Sequence, residues 1–359
     1  MFTVPELASE ALGDFLGKYM RRRFGSGHER LVETVPSIAR IALECIGNSD
    51  ALYHNVEHTM LVTLAGHDIM RGRALHTHMS ASEYATVIIA CLTHDIGYVR
   101  GLFRDDDEEG YVVTPTGQKV ALPRGSSDAA MLPYHVDRSK MYVLERIVGM
   151  AQLDSERIAK AVEGTRFPAS IPAMGEECDE EPALVRAADL IGQLGDPHYI
   201  RKANALYLEF EEIGLNRQLG YTTPADVVNL YPKFYWNCVA PHVQTAIRYL
   251  NVTSSGRQWI ANLYSNVFRA ERDIALSGPH KSSLKCGKML ASEDGAEMLD
   301  LPFHQAVRRP PRSFQRFCLP RERGRCQCFG MFSIRPVWSR SPLRAPFASK
   351  TLRIASSRS

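Results

Sequence analysis

The sequence lacks a hydrophobic run long enough to cross a membrane. Its most apolar stretch, Ala85–Leu92, is far shorter than the roughly 20 apolar residues that a membrane-spanning helix needs. Glu6, Glu10 and Asp14 stand where a secretory signal would be apolar, which argues against export. We therefore expect neither a membrane protein nor a secreted one.

Cysteine is also scarce. The 359 residues include eight cysteines, most of them far apart in the sequence. Cys326 and Cys328 form a CxC pair, but no second pair accompanies them at the spacing of a zinc site. A disulfide scaffold is thereby excluded, and we expect a reducing, cytoplasmic compartment.

The net charge is small and unevenly distributed. Lys and Arg number 43 against 40 Asp and Glu, a formal charge of +3. Residues 281–359 hold 16 basic and 5 acidic residues, which leaves 27 basic and 35 acidic residues in 1–280, a net charge of −8. The acidic body argues against a nucleic-acid duplex as partner, because duplex binding needs many cationic contacts.

The basic segment 281–359 also differs in composition from the rest of the chain. It is rich in Arg, Ser and Pro, and its apolar residues follow no sustained period, which predicts a disordered tail. Three interpretations stay open. The tail is an arm for nucleic acid or another anionic surface, a solvated segment without a partner, or a coding-frame artefact appended to a complete domain.

Helix signals dominate residues 1–280, which we interpret as one domain with its core at about 40–250. Predicted helices begin near Thr3, Glu29, Asn55, Ser80, Asp154, Glu181, Thr223 and Gln258. The exception is the stretch 111–122, which predicts a β-hairpin turning at Thr116-Gly117. It lies in a polar segment at about 100–140, a length typical of a lid or an insertion. We expect an all-α fold with one small β-hairpin insertion.

Histidine and aspartate are concentrated in two short segments. In the first, His54 and His58 are four residues apart and so share a helix face. In the second, an apolar helix ends in His94-Asp95, which is followed by Ile and Gly. Asp189 lies in a third segment, inside another apolar helix.

A metal site would explain why these residues occur together. Each of them alone has an ordinary structural explanation, such as a buried hydrogen bond. Together, His58, His94, Asp95 and Asp189 provide two imidazoles and two carboxylates on three segments that a helical bundle can bring together. Mixed nitrogen and oxygen ligation suits a divalent ion such as Mn²⁺, Fe²⁺, Zn²⁺ or Mg²⁺. The sequence therefore predicts a divalent-ion site.

The order His, His-Asp, Asp resembles that of the HD-domain superfamily of metal-dependent phosphohydrolases. The stretch Tyr53-His54-Asn55-x-x-His58 further resembles a motif of cyclic-nucleotide phosphodiesterases. The resemblance covers about residues 40–280 and implies an HD-domain helical bundle. It also implies that the four residues above bind the metal, that metal-activated water attacks a phosphoester, and that His54 protonates the leaving group.

The chain departs from the phosphodiesterases at two places. Ile96-Gly97-Tyr98 follows the His-Asp dipeptide where those enzymes have a His-Pro-Gly turn. The region 230–270 contains no recognisable glutamine and phenylalanine pair that would clamp a purine. The resemblance thus extends to the hydrolytic residues and leaves open whether the substrate is a cyclic nucleotide or another small phosphoester.

Further residues are expected at the edge of the site. His135 ends the 100–140 segment, where HD proteins with two metals often place another histidine; the alternatives are a hydrogen-bonding role or none. Asp95 could then bridge two ions. Cations must also hold the phosphoryl oxygens, and the candidates are Arg100, Arg104, Lys119 and Arg124.

A second His-Asp dipeptide, His67-Asp68, tests the assignment. It lies nine residues after His58 on the same predicted helix, which is about 13.5 Å along the helix axis. It therefore cannot share an ion with His58, and we expect it to be an exposed pair. His198 is also expected at the surface.

Two other functions compete with phosphoester hydrolysis. Some HD-domain proteins hold two irons and oxidise small polar substrates with O₂, but they generally need more histidine ligands, and only His135 is an evident addition here. A non-catalytic ligand-sensing module is the other, and the intact set of candidate ligands argues against it. The sequence leaves the oligomeric state open.

Overall fold

The computed structural model describes residues 3–150, 152–167 and 179–277. The chain divides into two units, Met1–Asp294 and Gly295–Ser359, and every described residue belongs to the first. The basic tail predicted at 281–359 lies outside the described residues.

Helices make up most of the described chain. They are α1 (Val4–Phe24), α2 (Glu29–Ile46), α3 (Val56–Arg73), α4 (Ala81–Thr93), α5 (His135–Arg146), α6 (Ser155–Glu163), α7 (Glu181–Leu194), α8 (Tyr199–Glu212), α9 (Leu215–Leu219), α10 (Pro224–Phe234), α11 (Ala240–Leu250) and α12 (Ser254–Ser277). Short 3₁₀ turns form at Ile96–Tyr98 and Asp128–Met131, and a π-helical turn at Tyr235–Val239 joins α10 to α11. None of the described helices combines the length and the apolar character that crossing a membrane requires.

Within the described residues, the structure confirms the prediction of an all-α fold with one small β-hairpin. Strands β1 (Tyr111–Val112) and β2 (Lys119–Val120) pair antiparallel, with Tyr111 opposite Val120. The capping boxes predicted at Thr3 and Ser80 are both formed. The segment predicted at about 100–140 as a lid or an insertion is shorter than expected, because α5 already begins at His135. Residues 100–134 are called the lid below.

Helices α3, α4 and α7 pack together at the centre of the bundle. α4 is buried from Tyr84 to Thr93, because nearly all of its residues are apolar and other helices cover it. α3 and α7 approach closely at Gly192, where an added Cβ would lie 2.7 Å from the Cα of Val62. Asp189 precedes Gly192 by one helical turn, so this contact brings Asp189 to the start of α3.

A second close contact joins the Ile96–Tyr98 turn to α5. A Cβ at Gly97 would lie 2.0 Å from the carbonyl oxygen of His135, so only glycine fits. The fully buried Arg138 of α5 donates hydrogen bonds to the carbonyls of Gly97 and Val99 and forms an ion pair with Asp106, 2.9 Å away. The turn, α5 and the lid thus form one packed corner of the molecule.

Candidate metal centre

Four side-chain atoms from three segments converge at the end of α4. His58 Nε2 lies 3.3 Å from His94 Nε2, 3.3 Å from Asp95 Oδ2 and 3.4 Å from Asp189 Oδ1. His94 Nε2 lies 3.0 Å from Asp95 Oδ2 and 3.7 Å from Asp189 Oδ1. Ligand atoms that all lie about 2.1 Å from one ion are roughly 3.0–3.4 Å apart. The atoms of His58 and His94 therefore lie close to both carboxylates, and four of these five distances fall within the range expected around one ion.

The fit of a cation rests on Asp95 Oδ2. This atom is buried, and no residue in the described part of the chain makes a well-oriented hydrogen bond to it, although two imidazole nitrogens lie near it. A buried carboxylate oxygen without a partner is costly. A cation among these four atoms would satisfy it, so the buried His and Asp side chains could hold a metal ion.

Hydrogen bonds orient the imidazole of His94 toward the other ligands. His94 Nδ1 lies 2.8 Å from the carbonyl oxygen of Cys91. A carbonyl can only accept, so Nδ1 carries the proton and donates it. The neutral ring then presents the Nε2 lone pair to the cluster. Histidines that bind metals typically donate their other ring nitrogen in this way.

The position of His58 follows from the start of α3. The side chain of Asn55 caps the helix by accepting hydrogen bonds from the backbone N–H groups of Glu57 and His58, at 3.0 and 3.3 Å. His58 consequently lies in the first turn and is 4% exposed. Asn55 is therefore the residue of the motif that fixes where the helix begins.

The turn that carries His94 and Asp95 is held by Ser139 of α5. Its hydroxyl donates to the carbonyl of His94 at 2.7 Å and accepts from the N–H of Gly97 at 2.9 Å. Ser139 is buried, so its hydrogen bonds replace those that water would make to the end of α4. Sequence reasoning missed this residue because serine has no metal-ligand signature.

The charges of the cluster shift one another's pKa values. Burial lowers the pKa of His58, but Asp189 and Asp95 outweigh it and raise the pKa to about 10. Burial raises the pKa of Asp95, but His94 and His58 hold it well below its usual range. Asp95 is therefore anionic at neutral pH, whereas His58 carries a proton that a cation bound at the cluster would displace.

His54 lies beside these residues and is held by Glu209 of α8. A ring nitrogen of His54 is within 4.8 Å of the nearest ligand atoms of His58 and Asp95. His54 Nδ1 donates to Glu209 Oε2 at 2.6 Å, and Glu209 Oε1 accepts from the backbone N–H of Tyr53, also at 2.6 Å. Burial raises the pKa of Glu209, but His54 and the other donors lower it overall. Sequence analysis did not identify Glu209.

His135 also approaches Asp95, but at a different carboxylate oxygen from the one that His58 and His94 approach. Its Nε2 lies 3.7 Å from Asp95 Oδ1, whereas the other two histidines approach Oδ2. His135 Nδ1 donates to the carbonyl of Leu132, which leaves Nε2 free of a proton when the ring is neutral. The structure thus brings His135 to the site, next to the second oxygen of Asp95.

The candidate phosphate contacts have other partners or lie at the surface. Arg100 donates to Asp128, to Asp50 and to the carbonyl of Ser126, and so braces the loop. Lys119 pairs with Asp107. The remaining two candidates, Arg104 and Arg124, are exposed.

The expectation for His67-Asp68 is half right. Both residues are on α3 with His58, as predicted, but they are 3% and 7% exposed and not at the surface. Asp68 accepts from Ser255 at 2.6 Å and Trp259 at 3.1 Å, which ties α3 to α12. Counting residues along the helix could exclude a shared ion, but could not reveal that α12 covers this face. His198 is exposed, as expected.

The chain belongs to the Npun_R2479-like family, whose profile matches residues 2–273. The matched range includes every site residue above and nearly all of the described helices. No curated protein matches the chain.

Proposed function

We propose that this member of the Npun_R2479-like family is a metal-dependent hydrolase of a small phosphoester. In this proposal one divalent ion is held by His58, His94, Asp95 and Asp189. His54 is the general acid that protonates the leaving group. The substrate is a nucleotide or another small phosphomonoester or phosphodiester.

The observation that carries the proposal is the position of His54 relative to the four converging atoms. An imidazole with one nitrogen bonded to a buried carboxylate lies directly beside a set of ligand atoms that needs a cation. A structural metal site would need no such neighbour. Phosphoester hydrolysis needs both a cation and a proton donor within reach of the same phosphorus.

His54 and Glu209 would together handle the proton of the leaving group. The chemistry that a divalent ion supplies when bound is Lewis acidity, which stabilises charge on a phosphoryl oxygen and lowers the pKa of water. Glu209 fixes the Nδ1–H tautomer of His54, which leaves Nε2 to face the site. Protonated His54 would then donate from Nε2 to the departing alkoxide.

A second candidate function is supported by His135. Because a histidine faces each oxygen of Asp95, this carboxylate could bridge two ions. Two ions are compatible with phosphoester hydrolysis and also with a di-iron oxygenase acting on a small polar substrate. The number and identity of the bound metals separate these two functions.

The test begins with metal analysis of the purified protein and of an Asp95→Ala variant. We expect the wild-type protein to bind one or two divalent ions and the variant to lose both metal and activity. Asp68→Ala is the matched control, because Asp68 belongs to the other buried His-Asp pair and is hydrogen-bonded to α12. It should lose stability but retain the metal.

Activity is then measured with the protein loaded in turn with Mn²⁺, Zn²⁺, Mg²⁺ and Fe²⁺. The substrates are phosphomonoesters, phosphodiesters and cyclic nucleotides. Full metal occupancy in Asp95→Ala would overturn the ligand assignment. Two irons per chain with O₂ consumption and no hydrolysis would replace the hydrolase by the oxygenase.

A further inference from the structure

Tyr98 forms a stack with two histidines of the site. Its ring centroid lies 4.7 Å from that of His54, at an interplanar angle of 16°, and 4.5 Å from that of His135, at 19°. Tyr98 is 1% exposed, and burial raises the pKa of its hydroxyl well above the usual value. It is therefore a neutral aromatic ring in contact with both histidines that lie beside the four ligands.

Stacking on Tyr98 restricts the tilt of the two histidine rings, which their hydrogen bonds leave free. Glu209 holds one edge of the His54 ring, and the carbonyl of Leu132 holds one edge of the His135 ring. A hydrogen bond at one nitrogen leaves the ring free to tilt about that bond, because the outer torsion of histidine is soft. The nearly parallel ring of Tyr98 restricts this tilt, because aromatic rings in contact prefer a defined relative geometry, such as offset stacking, to a face-to-face sandwich.

Tyr98 is itself held by the lid. It packs in one cluster with Val113, which follows β1, and with Met131, which lies in the Asp128–Met131 turn. Both are buried. The lid therefore contacts His54 and His135 through the ring of Tyr98.

We infer that Tyr98 is a positioning residue, whose stacked ring holds His54 and His135 in their orientation toward Asp95 and couples them to the lid. The inference rests on the proposed function where it concerns proton donation by His54. Tyr98 takes no part in the chemistry itself. Its contribution is the geometry of two rings, which must be correct when the leaving group departs.

The variants Tyr98→Phe and Tyr98→Leu test this role. Phenylalanine keeps the aromatic ring and should leave kcat within roughly twofold of wild type. Leucine should retain the metal and the KM but lower kcat by roughly 10–100-fold for an alkyl phosphoester. The loss should be much smaller for a p-nitrophenyl ester, whose leaving group needs no general acid.

Two further variants keep the test decisive. Tyr235→Leu removes an equally buried tyrosine from a cluster with Tyr231 and Trp236, and should lower stability without changing the leaving-group dependence. If Tyr98→Leu does not fold, Met131→Ala loosens the lid side of Tyr98 and should give the same pattern, more weakly. Equal losses for both esters, as in a purely structural defect, would overturn the inference.

A readout that is independent of activity separates this inference from the proposed function. Long-range ¹H–¹⁵N correlations of labelled histidine report the ring nitrogens of His54. We expect Nδ1–H in every variant, because Glu209 remains its acceptor, with one sharp set of ring signals in wild type and Tyr98→Phe and broadened or doubled signals in Tyr98→Leu. An inactive wild-type protein with this change of line shape in the variant would refute phosphoester hydrolysis only. An active one without it would refute the role of Tyr98 only.

Discussion

Glu209 is the residue on which the orientation of His54 depends. Its side chain is 1% exposed, and its two oxygens bind His54 Nδ1 and the backbone N–H of Tyr53. A buried carboxylate that orients a histidine in this way affects the reaction through that histidine and does not contact the reacting atoms itself. The effect of changing it should therefore appear in proton transfer and not in metal binding.

Glu209→Gln should reduce activity without removing the metal. The amide keeps the size of the side chain but loses the negative charge, and we expect kcat for an alkyl phosphoester to fall roughly 10–100-fold. A p-nitrophenyl ester should recover part of the loss. Glu212→Gln is the control, because Glu212 is an exposed residue of the same helix that binds Ser127. Metal loss in Glu209→Gln would contradict this role.

His67 should make stability depend on pH. Burial, together with Arg71, outweighs Asp68 and lowers the pKa of His67 from 6.5 to about 4, so the ring is neutral at pH 7. Its Nδ1 is hydrogen-bonded to the hydroxyl of Tyr84 at 2.7 Å. In the unfolded chain His67 takes up a proton near pH 6.5, whereas in the folded chain it does so only near pH 4. Stability is therefore lost as pH falls from about 6.5 to 4, by up to about 3 kcal/mol.

Denaturant unfolding of His67→Gln and wild type between pH 7 and 4 measures how much His67 contributes to the pH dependence of the free energy of unfolding. The variant should be less stable at pH 7, and the difference should shrink as the pH falls. His198→Gln, at an exposed position, is the control and should run parallel to wild type. A curve for His67→Gln that runs parallel to wild type would mean that folding does not lower the pKa of His67.

The convergence of the four candidate ligands could be predicted from the sequence, because their residue types suit a divalent ion. The order of His58, His94-Asp95 and Asp189, which resembles that of the HD-domain superfamily, selected them. Glu209 and Ser139 could not be predicted, since a carboxylate and a hydroxyl acquire these roles only through contacts that span 155 and 45 residues of sequence. Tyr98 was visible as a departure from a motif, but its stacking partners were not.

At the level of the elements, side-chain caps account for part of what the sequence reveals. Helices α1, α3, α4, α6 and α10 follow Thr3, Asn55, Ser80, Asp154 and Thr223, and these starts were predicted. Helices α2 and α7 have no side-chain cap hydrogen bond, yet their starts at Glu29 and Glu181 were also predicted. Helices α5, α8, α9 and α11 have none either, and they were missed. They form because the core beside them buries one face. Glu209 lies on α8, which is a second reason why it was missed.

The hydroxyl of Ser139 should be necessary for the turn between α4 and α5. Ser139→Ala leaves the carbonyl of His94 and the N–H of Gly97 without their buried partner, at a cost of about 1–3 kcal/mol for each group. Because the turn carries two ligands, metal affinity should also fall. Thermal unfolding and metal titration measure the two effects.

Ser37→Ala is the matched control for this prediction. The hydroxyl of Ser37 donates to the carbonyl of Glu33 at 2.8 Å, but on an exposed helix face, where water can replace it. We expect its stability and metal affinity to match wild type. A Ser139→Ala protein as stable as Ser37→Ala would show that the turn does not depend on this hydroxyl.

At the scale of the whole molecule, two boundaries nearly coincide. The family profile ends at residue 273, and the composition changes from acidic to basic at about residue 280. Every residue of the candidate site precedes both. The charge of +3 for the chain therefore combines a body of −8 with a segment of +11, and the charge around the site is that of the body.

A chain that ends at residue 280 should keep the fold and the metal. The described helices and the site lie within it, so its melting temperature should stay within roughly 3 °C of the full chain, a difference of about 1 kcal/mol for a domain of this size. Its net charge of −8 should make it bind an anion exchanger at neutral pH, unlike the full chain. Metal content and activity per mole should be equal. A lower metal content would place part of the site, or a segment that supports it, in residues 281–359.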